Sequence, residues 1–210
     1  MNEDNEIQPY HEALYIESLL TQTKAIVFEK ECLIKYLDDY HEGKKIEIEL
    51  ILDCLQNIIV KAADISKYFW PTKPFVEKGK TSNKVERNEL YKRYENLHES
   101  RAEKLRKAFG IKSKNNPIAN RDMRNMIEHF DSKLDVYLND NNVTGTIMPY
   151  YLGIHVEEIN SYTHYFRAFF SSRYIFRILN VDFEILPILN ETIRIHNLLI
   201  DFKNDGGRLK

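Results

Sequence analysis

Glycine and proline are scarce, seven and six in 210 residues. A chain with so few turn-forming residues is expected to be built from long helices. Cysteine is scarcer still. Cys32 and Cys54 lie in apolar-periodic segments and in no CxxC pair, so buried free thiols are expected rather than a disulfide, and a structural zinc site has too few ligands. No apolar run approaches the ~18 residues that a membrane span requires. The opening MNEDNEIQP is acidic and has no apolar signal core, so a cytoplasmic protein is expected. Charge of one sign is not in excess: the net charge is −2, which gives no global bias toward nucleic acid or membrane. Several familiar sites are missing too. There is no glycine-rich phosphate loop, no HExxH and no GxSxG elbow. A di-iron bundle needs two ExxH pairs, and only Glu95 to His98 fits.

What is present is apolar periodicity. From about residue 9 to 40, Ala13, Ile16, Leu20, Val27, Ile34 and Leu37 recur at helical spacing. A second helix is predicted from about 45 to 69, with Ile51, Leu55, Ile58, Ile59, Ala62 and Ile65 giving the broad apolar face of a central helix, and Trp70-Pro71-Thr72-Lys73-Pro74 stopping it. After a polar connector at 72–84, a highly charged third helix runs from about 84 to 109, with Gly110 just past its end. Residues 141–153 read as loop. Residues 164–185 are rich in aromatic and β-branched residues and predict a hairpin or three-stranded meander with turns at 171–173 and 180–182. A last helix is expected from about 186 to 202. The fold class predicted is mainly α: an antiparallel bundle of four to five long helices with a small C-terminal β-hairpin or meander and a final helix. A single domain is expected over 1–210, with the bundle at about 9–138 and the β-plus-helix extension at about 139–203.

The stretch that carries chemistry is 117–138, PIANRDMRNMIEHFDSKLDVYL. On one helical wheel Met123, Met126, Ile127, Phe130, Leu134, Tyr137 and Leu138 fall within an arc of roughly 120°, and Arg121, Arg124, Asn125, Glu128, His129, Ser132 and Asp135 fall opposite. Asn116 with Pro117, or else Asn120, supplies the N-terminal cap. An ordinary solvated face would show the same amphipathicity. The alternative is a site in which a guanidinium, an amide, a carboxylate and an imidazole flank one groove. Histidine moves protons near neutrality, arginine's fork matches a phosphate, and asparagine orients either partner. That set suits metal-free RNA cleavage with no cofactor. One histidine is thin for separate acid and base roles, and a symmetric dimer would bring two. The approach to this stretch is basic: residues 101–124 hold Arg101, Lys104, Arg106, Lys107, Lys112, Lys114, Arg121 and Arg124 against Glu103 and Asp122, as a phosphate backbone would require. The competing reading is that the acidic first half of the third helix, with Glu86, Glu89, Glu95 and Glu99, balances this charge.

The string Arg124-Asn125-Met126-Ile127-Glu128-His129 resembles the R-x4–6-H signature of the HEPN superfamily, which has a polar residue, often Asn, after the arginine. The longer NRDMRNMIEHFDSKLD is similar to a bacterial subset of that superfamily, over roughly residues 9–138. The resemblance implies an all-α bundle, frequently dimeric, with the motif in a cleft at the dimer interface. Many such proteins are metal-independent endoribonucleases of toxin–antitoxin, phage-defence or RNA-processing systems. Others only bind RNA, nucleotides or protein partners. Carried over residue by residue, Arg124 and His129 bear the signature and Asn125 the polar position, with Glu128 as possible support. Arg121, Lys112 and Lys114 are expected to bind RNA. The partners implied are RNA, a second copy of the chain and an antitoxin or operon partner. The variant with a tyrosine two residues after the histidine does not match, since Asp131 stands there. A second R-x4-H, Arg93 to His98, is set aside because Tyr94 replaces the small polar residue and the stretch lies within a highly charged helix.

Overall fold

A computed structural model describes residues 7–77, 83–112, 115–140, 143–156 and 162–209. The chain is mainly helical with a small four-stranded sheet. The order is α1 (Pro9–His41), α2 (Ile48–Phe69), α3 (Lys84–Ala108), a 3-10 turn (Pro117–Ala119), α4 (Arg121–Glu128), α5 (Phe130–Asp140), β1 (Thr146–Gly153), β2 (Thr163–Phe170), β3 (Ile175–Ile178), β4 (Val181–Glu184) and α6 (Ile185–Asn204).

The central element is α2. It buries Ile51, Leu52, Leu55, Ile58, Ile59, Ala62, Ala63, Ile65 and Phe69, and it touches α1, α3, α4, α6 and the first two strands. A helix apolar over most of its circumference has to be surrounded. Cys54 is buried and Cys32 half-buried, and both are free thiols. Burial, with Glu29 beside it, pushes the Cys54 thiol up to about 12, so it stays protonated.

Helix α1 spans the predicted range, and its buried stripe matches the predicted one in part: Ile16, Leu20 and Leu37 are shared, whereas Ala13 is exposed and Val27 half-buried. Ile16, Leu19, Leu20, Ile26, Leu33 and Leu37 are buried, whereas Ile34 is 47% exposed. Two buried positions on the stripe are polar, Glu12 and Thr23, which hides its phase in a hydropathy pattern. Thr23 Oγ1 lies 2.8 Å from His196 Nδ1 on α6. Glu12 accepts from Lys104 Nζ (2.8 Å), Arg208 Nε (2.7 Å) and the Leu209 amide (2.9 Å), tying the start of α1 to α3 and to the C-terminal residues. Burial pushes the Glu12 carboxyl up, but these donors outweigh it and hold it below the usual carboxylate range. Its contribution is therefore complete above a pH of about 4.5 and is lost as pH falls through the lower folded value. Glu12→Gln is expected to cost about 1–3 kcal/mol at pH 7. Urea unfolding of both proteins from pH 7 down to 3 checks this, with the gap closing as the pH falls.

Helix α3 packs only near its C-terminal end, where Ala102 and Leu105 are buried. The 117–138 stretch is not one helix. It breaks at His129, whose backbone (φ −130°, ψ 32°) ends α4, and α5 restarts at Phe130. The cause is a change of partner. In α4, Met123 and Met126 are buried and the helix lies against α2. In α5, Phe130 meets Phe166 of β2 edge-on at 5.4 Å, and Tyr137 Oη lies 2.8 Å from His164 Nδ1. One wheel cannot serve both surfaces, and Leu138, expected on the apolar face, is 48% exposed. Both candidate caps are used: Asn116 Oδ1 accepts from Ile118 N at 3.1 Å to cap the 3-10 turn, and Asn120 Oδ1 accepts from Asp122 N at 2.8 Å to cap α4.

Residues 146–153, expected as loop, form an edge strand. The sheet order is β1-β2-β3-β4, with β1 parallel to β2 and the other two pairs antiparallel. Pro149 lies inside β1 and breaks the strand signal; an edge tolerates it because one side of the ladder needs no donor. Gly145, at φ +92°, leads into the strand where any Cβ would strike the Tyr162 carbonyl. The turn between β3 and β4 is at Leu179 and Asn180, ahead of the predicted 180–182.

Candidate nucleic-acid interface

A helix leaves its last carbonyls without intrahelical partners and its C-terminal end partially negative. At the end of α2 three arginines meet this need. Arg101 Nη2 donates to the Lys67 carbonyl at 3.3 Å, Arg106 Nη1 to the Phe69 carbonyl, and Arg124 Nη1 to the Trp70 carbonyl at 2.8 Å. Lys104 is withdrawn into the Glu12 cluster and bonds the Ile7 carbonyl at 3.0 Å. Part of the basic run at 101–124 is therefore a collar around a helix end.

The collar opens onto a groove of about 830 Å3. Its walls are Trp70, Pro71, Thr72 and Lys73 after α2, Glu99 and Arg106 of α3, Ile111 and Lys112, and Ala119, Arg121 and Arg124. Five cations face one carboxylate there. Arg124 is half-buried. Burial and then Arg121 disfavour its charge, with Glu128 opposing them, but a guanidinium remains protonated throughout. The segment is held from the far side as well. Asn116 Nδ2 donates to Glu191 Oε1 of α6 at 2.6 Å, and Arg194 both pairs with Glu191 at 2.7 Å and donates to the Phe109 carbonyl at 2.8 Å.

Three of the expected residues, Lys112, Arg121 and Arg124, thus share the groove. Lys114 lies outside the described residues. Asn125 and His129 are exposed and are not among the groove's walls. Glu128 is in an ion pair with Lys67 at 2.7 Å, and that bond holds its carboxyl below the usual range. Behind the α4–α5 junction lies an apolar cavity of about 300 Å3 walled by Gln56, Met126, Ile127, Phe130, Phe166, Arg167 and Ile178.

Sequence reasoning missed two features. Lys73 joins the groove from a segment recognisable only as a helix stop. His98, in the R-x4-H set aside above, lines a cleft of about 370 Å3 with Tyr15, Lys67, Tyr68, Pro71, Thr72 and Arg101. Burial and then Arg101 lower the His98 pKa, against the Thr72 backbone hydrogen bond and Glu99. Among the described residues no three His, Cys, Asp or Glu side chains cluster to hold a metal ion, and no helix is long and apolar enough to cross a membrane. No protein-family model, curated protein or solved structure matches the chain.

Proposed function

We propose that this chain is a HEPN-like, metal-independent endoribonuclease of the cytoplasm, an antiparallel helical bundle acting as a homodimer in a toxin–antitoxin, phage-defence or RNA-processing setting. The observation that carries the reading is the cationic groove that gathers Lys112, Arg121 and Arg124 with Lys73 and Arg106. Such a groove suits a phosphate backbone. In the reaction the RNA 2′-hydroxyl attacks the adjacent phosphorus and the bond to the 5′ oxygen breaks. An imidazole takes the 2′ proton, a second protonates the leaving 5′ oxygen, and the products are a 2′,3′-cyclic phosphate and a 5′-hydroxyl. His129 is the acid/base group, Arg124 steadies the phosphorane charge, and Asn125 orients the reacting groups. Arg121 and Lys112 hold the strand. The exposed position of His129 outside the groove's walls favours a site completed by a second copy, which also supplies the second imidazole.

One observation favours a second reading, a non-catalytic RNA- or protein-binding module: the Arg124 guanidinium is engaged with the Trp70 carbonyl. Incubation with single-stranded and structured RNAs in EDTA separates the two. Cleavage leaving 2′,3′-cyclic ends is expected. Retention of RNA on a filter with no cleavage supports the RNA-binding module, a co-purifying partner with no cleavage supports the protein-binding one, and survival of every RNA with neither retention nor a partner refutes both readings.

A further inference from the structure

The collar divides two concave surfaces that share the walls Pro71 and Thr72. The groove lies on one side, and the His98 cleft lies on the other. Only part of the cleft's charge is available to a ligand. Lys67 is neutralised by Glu128 at 2.7 Å and Asp64 at 3.3 Å. Arg101 is different. Its guanidinium carbon lies 5.9 Å from the centre of the Tyr68 ring and its Nη2 reaches the Lys67 carbonyl, yet its Nε–H is buried with no hydrogen-bond partner among the described residues. An unpaired donor is costly, so the Arg101 guanidinium, which lines the cleft, is not fully satisfied by its protein partners. The remaining wall is aromatic. Tyr15 and Tyr68 meet edge-on at 6.4 Å, with the Tyr68 hydroxyl bonded to Ser18 Oγ at 2.6 Å, so the rings are fixed. A cationic groove passing into a pocket of fixed rings and a guanidinium is the arrangement that receives single strands, whose bases are free to turn toward a ring.

We propose that the cleft continues the strand path: one single-stranded RNA crosses the Trp70–Lys73 segment, with phosphates in the groove at Arg106, Arg121 and Arg124 and the next phosphate in the cleft at Arg101 and His98. The proposal rests on the RNA reading above. A phosphodiester beside His98 favours the imidazolium, so binding takes up a proton. The charged and titratable groups facing His98 are Arg101 and Glu99 on α3, Lys67 with its partners Asp64 and Glu128, and Tyr15 and Tyr68. Among these groups the one imidazole is His98, and the proposal places the pH dependence of the cleft there.

The test is anisotropy of a labelled 2′-O-methyl uridine octamer, which cannot be cleaved, titrated with full-length protein in EDTA. Arg101→Gln is expected to weaken binding about five- to tenfold and to make the log–log salt slope shallower by about 0.7, one phosphate contact on a single strand. Arg101→Lys keeps most of the affinity. Wild-type affinity rises as pH falls from 8 to 6, and His98→Gln flattens that rise while leaving the melting temperature unchanged. In the wild-type protein, the His98 imidazole NMR signal moves on titration. If Arg101→Gln and His98→Gln bind as the wild type does while Arg121→Gln weakens binding, or if the His98 signal stays still at saturation, the cleft is not on the path and the RNA reading survives. If wild-type protein binds no strand, both fall.

Discussion

His129→Ala is expected to abolish RNA cleavage, lowering the rate about 10²–10⁴-fold, the usual contribution of a positioned acid or base. The melting temperature should not move. The junction at His129 is made by its backbone: the amide donates to the Asn125 carbonyl at 3.1 Å and the carbonyl accepts from Lys133 N at 2.9 Å. The exposed ring can be removed without touching either bond. Single-turnover cleavage in EDTA, paired with a thermal scan, gives both quantities. A variant that cuts as fast as wild type removes His129 from the chemistry, and a variant that melts several degrees lower would mean the ring is structural.

Arg124→Ala is expected to fail in two ways at once. Cleavage falls about 10²–10³-fold through loss of a donor to the transition-state oxygens. Stability falls by about 1–2 kcal/mol because the Trp70 carbonyl at the end of α2 loses its partner. Arg124→Lys separates the effects. It restores charge and one donor but not the fork, so stability and RNA affinity largely return while the rate does not. Urea unfolding and kcat/KM on the same three proteins decide it. If Arg124→Ala leaves rate and stability unchanged, the polar face is ordinary solvated surface.

What could be read from the sequence was set by where each signal lies. Helix α2 announces itself because Ile51, Leu55, Ile58, Ile59 and Ala62 are all buried and apolar. Helix α1 is legible in extent and only partly in phase, since Ile16, Leu20 and Leu37 are buried as expected while Glu12 and Thr23 occupy core positions that a hydropathy pattern assigns to solvent. Strand β1 was hidden by Pro149, which is tolerated only because the strand is at an edge. The break at His129 depends on Met126 and Phe130 facing α2 and the sheet in turn, a tertiary fact with no local signature. At the site, the basic run was visible but its division was not. Arg101, Arg106 and Arg124 choose backbone carbonyls, and every residue has one, so composition cannot show which cations are already engaged. The R-x4-H spacing does not show where each histidine lies. The copy at 93–98 contributes a histidine to a cleft, while His129 of the matching copy stands outside the groove.

The arginine collar has a consequence for stability. A helix end offers roughly half an elementary charge of attraction, and three guanidiniums have gathered there; two of them, Arg106 and Arg124, share the groove with Lys73, Lys112 and Arg121, where Glu99 is the one carboxylate among the walls. Five cations around one carboxylate repel one another across that groove. A polyanion bound there would relieve that repulsion. It would act as a counter-charge, and by binding the folded chain it would also stabilise it. On the proposed reading, fold and ligand would be coupled through one set of side chains.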